Sequence, residues 1–271
     1  MGKLADVRWS DGVGRAVLAV YCKAYDVSLD ECVRRDGFAN FDEFFTRDLK
    51  PGARPIDERP EVHVCPADGR IDSMGTIDES STFLVKGRSY RVEDLVGDPE
   101  DARRYVGGAG CVVYLSPRDY HRVHAPVAGV VRTVRSLPGD YYPVNSIGLR
   151  HVKDLFVRNR RVAIAIDTPE STGLGRVTVV MVAAMVVGRI TVSGIDERDV
   201  PLGTHELTRP LEVQKGDEIG IFHLGSTAVV LFERGAFDRW GAAEGPARMG
   251  SPLAFAAKTA FTPPGANGGA A

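Results

Sequence analysis

The chain has 271 residues, a formal net charge of -2 at pH 7 and 44% hydrophobic residues, the profile of one globular domain with a small appendage. The slightly negative balance disfavours nucleic acid as the main partner. Cys22, Cys32, Cys65 and Cys111 have no C-x-x-C spacing, which disfavours a thiol redox pair or a cysteine-rich zinc site and fits a reducing compartment.

No signal peptide is expected, because Met1-Gly2-Lys3-Leu4 has no apolar core behind it. From Trp9 to Ala24 the residues Val13, Val17, Val20, Tyr21 and Ala24 recur at helical spacing. Such a helix either packs on the domain or lies in a membrane interface. Ser28-Leu29-Asp30-Glu31 has the form of a capping box and predicts a short second helix. Asn40 can cap a third, in which Phe41, Phe44, Phe45 and Leu49 share one face and Pro51 ends the run. Four such bulky residues need a core or a membrane to cover them.

From Pro55 onward the pattern becomes mainly strand. Val62-His63-Val64-Cys65 alternates, and Pro66-Ala67-Asp68-Gly69-Arg70 turns. Cys111 to Leu115 is a strand that Ser116-Pro117-Arg118-Asp119 breaks; Tyr120 to Val131, Val162 to Ile166, Val177 to Val187 and Arg189 to Val192 continue the series. The longest apolar run, Val177 to Val187, is shorter than the roughly 20 residues a bilayer span needs. Lys215-Gly216-Asp217-Glu218 turns the chain into a strand at Ile219 to Phe222, with another at Val229 to Phe232. Pro263 to Ala271 is small and Gly-rich, the composition of a disordered tail. The expected fold class is α+β, mainly β, with a helical segment over 1–52, a β-rich domain over 53–262 and a tail over 263–271.

The segments His124 to Val131 and Val213 to Gly220 resemble each other, and together they resemble the β hammerhead of biotinyl and lipoyl carrier domains. A carrier needs an exposed Lys at a hairpin tip, typically after Met. Met181, Met185 and Met249 are not followed by Lys, so carrier chemistry has no residue to use.

Between the last two strands lie His223-Leu224-Gly225-Ser226-Thr227. Read alone, this is a polar kink, or a serine placed to attack its own preceding peptide bond, with Gly225 free to take unusual backbone angles. Asp68, His121 and His124 supply the other parts of an activated hydroxyl. Asp68 could equally be a turn former, and either histidine could be structural. G-x-S-x-G is absent, which removes an α/β-hydrolase. A zinc peptidase using His121, His124 and Asp68, or a non-catalytic binding module, are the other classes open to these residues.

The whole set resembles phosphatidylserine decarboxylase of the bacterial and mitochondrial, membrane-associated type. The resemblance rests on Asp68 in Pro-x-Asp-Gly, Tyr114 through His124, Pro138-Gly139-Asp140 and Leu224-Gly225-Ser226-Thr227, in family order and approximate spacing. It extends over Asn40 to Asp57, with Phe44-Phe45-Thr46-Arg47 and Arg54-Pro55-Ile56-Asp57. It implies a self-processing, pyruvoyl-dependent enzyme that converts phosphatidylserine to phosphatidylethanolamine and carbon dioxide. Asp68 and His124 would activate Ser226, whose hydroxyl attacks the Gly225 carbonyl. Cleavage between Gly225 and Ser226 would leave a β chain, 1–225, paired with an α chain, 226–271. Residue 226 would become the pyruvoyl group, which forms a Schiff base with the substrate amine. His121 would move a proton during decarboxylation. The resemblance also implies attachment to the cytoplasmic face of the cell membrane through the helical segment 1–52. Family relatives that act on soluble amino acids keep that substrate class open. His223 has no counterpart role to carry over.

Overall fold

The computed structural model describes residues 5–185, 189–223 and 225–256. The expected tail at 263–271 and the end of the strand expected to reach Val187 lie outside the described residues.

The helix α1 (Asp11–Tyr25) ends where Asp26 turns left-handed at φ 55° and its N–H bonds the Cys22 carbonyl. Leu18, Tyr21 and Cys22 pack on Phe38, Phe41 and Phe44. The valines at helical spacing point the other way: Val13, Val17 and Val20 are 56%, 41% and 70% exposed. The helix is therefore two-faced.

The capping box at Ser28 starts no helix. The Ser28 hydroxyl accepts from the Asp30 N–H only two residues on, at 3.2 Å. Glu31, which would complete the box, is drawn to Arg54 and Arg248 instead. Long-range ion pairing overrides the local signal. The next helix, α2 (Phe41–Phe45), is capped as expected, with Asn40 Oδ1 accepting from Glu43 N at 2.8 Å. It is shorter than the apolar spacing implies, and Leu49 lies beyond it, bridged to Cys32. Phe44 joins Leu18 and Phe38, while Phe45 enters the main core. Both are buried, so protein covers this stripe; truncating either to Ala would cost about 3–5 kcal/mol.

Strands follow: β1 (Val62–Val64), β2 (Gly69–Thr76), β3 (Thr82–Val85) and β4 (Arg88–Arg91). Two short helices, α3 (Val92–Val96) and α4 (Pro99–Arg103), precede β5 (Ala109–Leu115), β6 (Arg122–His124) and β7 (Gly129–Leu137). After α5 (Ser146–His151) and α6 (Leu155–Arg158) come β8 (Arg161–Asp167), β9 (Arg176–Ala183), β10 (Ile190–Val192) and β11 (Gly203–Val213). The chain continues through β12 (Glu218–Phe222), β13 (Ser226–Phe232), β14 (Arg239–Trp240), β15 (Gly245–Ala247) and β16 (Pro252–Phe255).

The fold is mainly β, as expected. An eight-stranded antiparallel sheet runs β11-β7-β8-β9-β13-β5-β2-β15. Its centre must be apolar on both faces, and every residue of β13 is buried. A second sheet, β10-β12-β6, brings the His121 to His124 segment beside the strand that leads to Ser226. The two segments that resemble each other in sequence lie side by side, with Gly129 opposite Val213 and His124 opposite Glu218.

Candidate active site

Ser226 opens β13, paired with Leu115 of β5 on one side and Ala183 of β9 on the other. The serine is strand, not turn. It is fully buried, and its Oγ has no hydrogen-bond partner. A buried hydroxyl left unpaired costs about 1–3 kcal/mol, so such an atom asks for a chemical reason. A Cβ added at Gly225 would meet nothing within 4 Å, so crowding does not account for glycine there. Gly225 and Ser226 line a cavity of about 520 Å³ whose walls include Tyr21, Tyr25, Phe45 and Met185.

His121 sits just before β6. Its Nδ1 lies 2.8 Å from the Asp119 carbonyl, which can only accept, so Nδ1 carries the proton and Nε2 is left as a lone pair. That Nε2 is buried and has no partner. Burial pushes the His121 pKa down to about 3, against the opposing bond to Asp119, so the ring is neutral. The imidazole lies against Phe45, ring centroids 4.0 Å apart, and Phe45 lines the cavity of Ser226. The loop carrying His121 is pinned by Asp119, whose Oδ2 accepts from Ser116 N at 2.6 Å and Ser116 Oγ at 2.7 Å.

His124 lies in β6 and donates from Nδ1 to the Gly216 carbonyl at 2.8 Å. Its Nε2 accepts from the Tyr120 hydroxyl at 3.2 Å, and the two rings stack. Burial lowers the His124 pKa, opposed by the Gly216 bond and by the charges of Glu218 and Asp68.

Asp68 is not hydrogen-bonded to His124. Arg54 grips its carboxylate with Nε at 2.8 and 3.0 Å and also with Nη2, and Met249 N donates at 2.9 Å. Gly69, at φ 154°, explains how Asp68 is held: a Cβ there would lie 2.3 Å from the Tyr114 carbonyl, so only glycine lets β2 approach β5. Asp68 and Tyr120 line a second cavity, of about 530 Å³.

The expected residues therefore form two groups. Asp68, Tyr120 and His124 form one, Tyr120 sharing a cavity with Asp68 and a hydrogen bond with His124; Ser226 and Phe45 line the apolar cavity, with His121 packed on Phe45. Sequence reasoning gave no role to Tyr120 or Arg54, although both lie inside the quoted motifs. It also missed Arg47, which is buried on the Phe44 ring, donates to the Arg118 and Asp119 carbonyls, and leaves Nε and Nη1 unpaired.

The family model described as phosphatidylserine decarboxylase matches residues 41–254. The chain belongs to the phosphatidylserine decarboxylase family. Among curated members, the phosphatidylserine decarboxylase proenzyme of Bordetella pertussis is 40% identical over 277 residues, covering 97% of this chain and 91% of that protein. That of Acinetobacter baylyi is 41% identical over 222 residues, 81% of this chain and 76% of its own length. That of Myxococcus xanthus is 38% identical over 226 residues, covering 82% and 79%. The family match runs from α2 into β16, and so contains Asp68, His121, His124, Gly225 and Ser226.

Proposed function

We propose that the chain is a proenzyme that cuts itself between Gly225 and Ser226 and then decarboxylates phosphatidylserine to phosphatidylethanolamine. One observation carries this reading: Ser226, whose Oγ is buried and unpartnered, lines an apolar cavity beside an uncrowded Gly225. Hydroxyl and carbonyl belong to adjacent residues, so their effective concentration is high. Oγ attacks the Gly225 carbonyl carbon, the peptide nitrogen leaves, and an ester joins the two residues. Loss of the Ser226 Cα proton then expels the Gly225 carboxylate, and hydrolysis of the resulting enamine releases ammonia. Residue 226 is left as a pyruvoyl group, which supplies an electron sink for the bond to the departing carbon dioxide.

His124 is assigned as the base for the cut, with Asp68 supporting its charge. In that role the His124 ring must exchange the Tyr120 hydroxyl for the Ser226 proton. His121 is assigned to the proton the substrate carbon receives after decarboxylation; its contact with Phe45 at the cavity wall supports that role, for which its bare Nε2 must first take up a proton. That contact and the bare Nε2 also favour a second reading, in which His121 is the base for the cut. Separate His124→Ala and His121→Ala variants distinguish the two.

Attachment to the cytoplasmic face of the cell membrane fits a water-insoluble substrate. Among the described residues no helix is long and apolar enough to cross a membrane. The exposed Val13, Val17 and Val20 give α1 an apolar outer face. Tyr21 and Tyr25, on the same helix, line the cavity of Ser226. A hammerhead-like core is supported by the side-by-side placement of the two similar segments.

The test is carbon dioxide release from phosphatidylserine vesicles and from free serine. Release from vesicles alone is expected; equal release from free serine would overturn the lipid assignment.

A further inference from the structure

His223 stands three residues before Ser226, and none of the steps above uses it. It is buried, and both ring nitrogens are held. Nδ1 bonds the Asp42 carboxylate at 2.8 Å, and Nε2 lies 2.7 Å from Thr191 Oγ1. Asp42 comes from α2, 181 residues away. Its carboxylate also receives Arg189 at 3.3 Å and Arg198 at 2.6 Å, and both arginines bind Asp6. Burial works against the charge on Asp42, yet its bonds to His223 and Arg198 hold the carboxyl below the usual range. The His223 backbone N–H donates to the Arg189 carbonyl at 3.2 Å, tying the same segment a third time.

We propose that His223 is a positioning residue for the self-cleavage: clamped by Asp42 and Thr191, it fixes the end of β12 so that the Gly225 carbonyl meets Ser226 Oγ. This rests on the reading that Ser226 attacks Gly225. The clamp matters because β13 is already fixed by two neighbouring strands, whereas Gly225 has open space where a side chain would stand. The attacking side is rigid, so the carbonyl must be held from the other side. Among the described residues within three positions on that side, His223 is the one whose side chain is held by hydrogen bonds, next to the buried Phe222. The clamp also makes the cut depend on α2, so an N-terminal segment out of place would leave the bond whole.

The experiment follows the appearance of the two pieces over time in freshly made full-length protein. His223→Leu removes both ring contacts and is expected to slow the cut roughly 10²-fold, the scale of an ångström-sized misplacement. His223→Asn can return a donor to Asp42 from the position of Nδ1 and is expected to cut within a few-fold of wild type. Melting temperatures of both in a Ser226→Ala background report folding apart from cutting. If His223→Leu does not accumulate, Thr191→Val removes the Nε2 contact, together with the Thr191 Oγ1 bond to the Arg198 carbonyl at 2.7 Å, and should slow the cut roughly tenfold. Wild-type cutting by His223→Leu or Thr191→Val, or equal slowing by His223→Leu and His223→Asn, would overturn the proposal. A wild-type chain that never cuts would overturn the reading at Ser226 instead.

Discussion

The two histidines of the 121–124 segment make separate contacts, and their variants should separate as well. His121→Ala is expected to form its pyruvoyl group normally and lose turnover by roughly 10²-fold or more, the scale of a general acid. His124→Ala and Asp68→Ala are expected to accumulate the whole chain. Gels read the cut and carbon dioxide release reads turnover; a His121→Ala protein that stays whole would move the base assignment to His121. A pH dependence follows from burial. His63 is pushed down to about 4 by burial and His121 to about 3, while both titrate near 6.5 unfolded. Between these values the unfolded chain binds protons that the folded chain refuses, so stability falls as pH drops from about 6.5 toward 3. His63 bonds the Ala236 carbonyl and stacks on Phe232, outside the proposed site. A His63→Leu variant should therefore show a shallower loss of melting temperature over that window.

At the scale of elements, α1 carries the membrane proposal. Val17→Glu and Val20→Glu change only the exposed face, so they should weaken flotation with phosphatidylserine vesicles while leaving the melting temperature within a few degrees. Removing 1–24 should weaken flotation too, but it also strips Leu18 and Tyr21 from Phe44, so the point variants isolate the cause. Unchanged flotation of both would exclude α1 as the main anchor. The central strands were legible because burial on both faces demands unbroken apolar runs, as in Val229 to Phe232. Asn40 announced α2 because a cap is a local bond. The strand β11 was not legible: most of it is exposed, and Thr204, His205, Glu206 and Arg209 carry no core pattern. The helix expected after Ser28 failed because Arg54, far along the chain, takes Glu31. Of the site, the motifs marked Asp68, His121, His124 and Ser226. The partners were not marked, because Arg54 on Asp68 and Asp42 on His223 are contacts between distant segments.

For the molecule as a whole, the proposed cut falls between two strands of different sheets. The small piece, 226–271, would keep β13 between β9 and β5, and β15 and β16 against β2 and β1. Val229, Val230, Leu231 and Phe232 are fully buried, together worth about 6–12 kcal/mol at 1.5–3 kcal/mol per large side chain. The two pieces should therefore co-elute on gel filtration and separate only in denaturant; separation under native conditions would contradict this packing. The most direct measurement is an intact-mass spectrum of the purified protein under denaturing conditions. Two pieces are expected, 1–225 and 226–271, the smaller blocked at its amino end by a ketoacyl group, with Ser226→Ala remaining whole. A wild-type chain found only at its full mass, with no carbonyl, would contradict self-processing at Ser226.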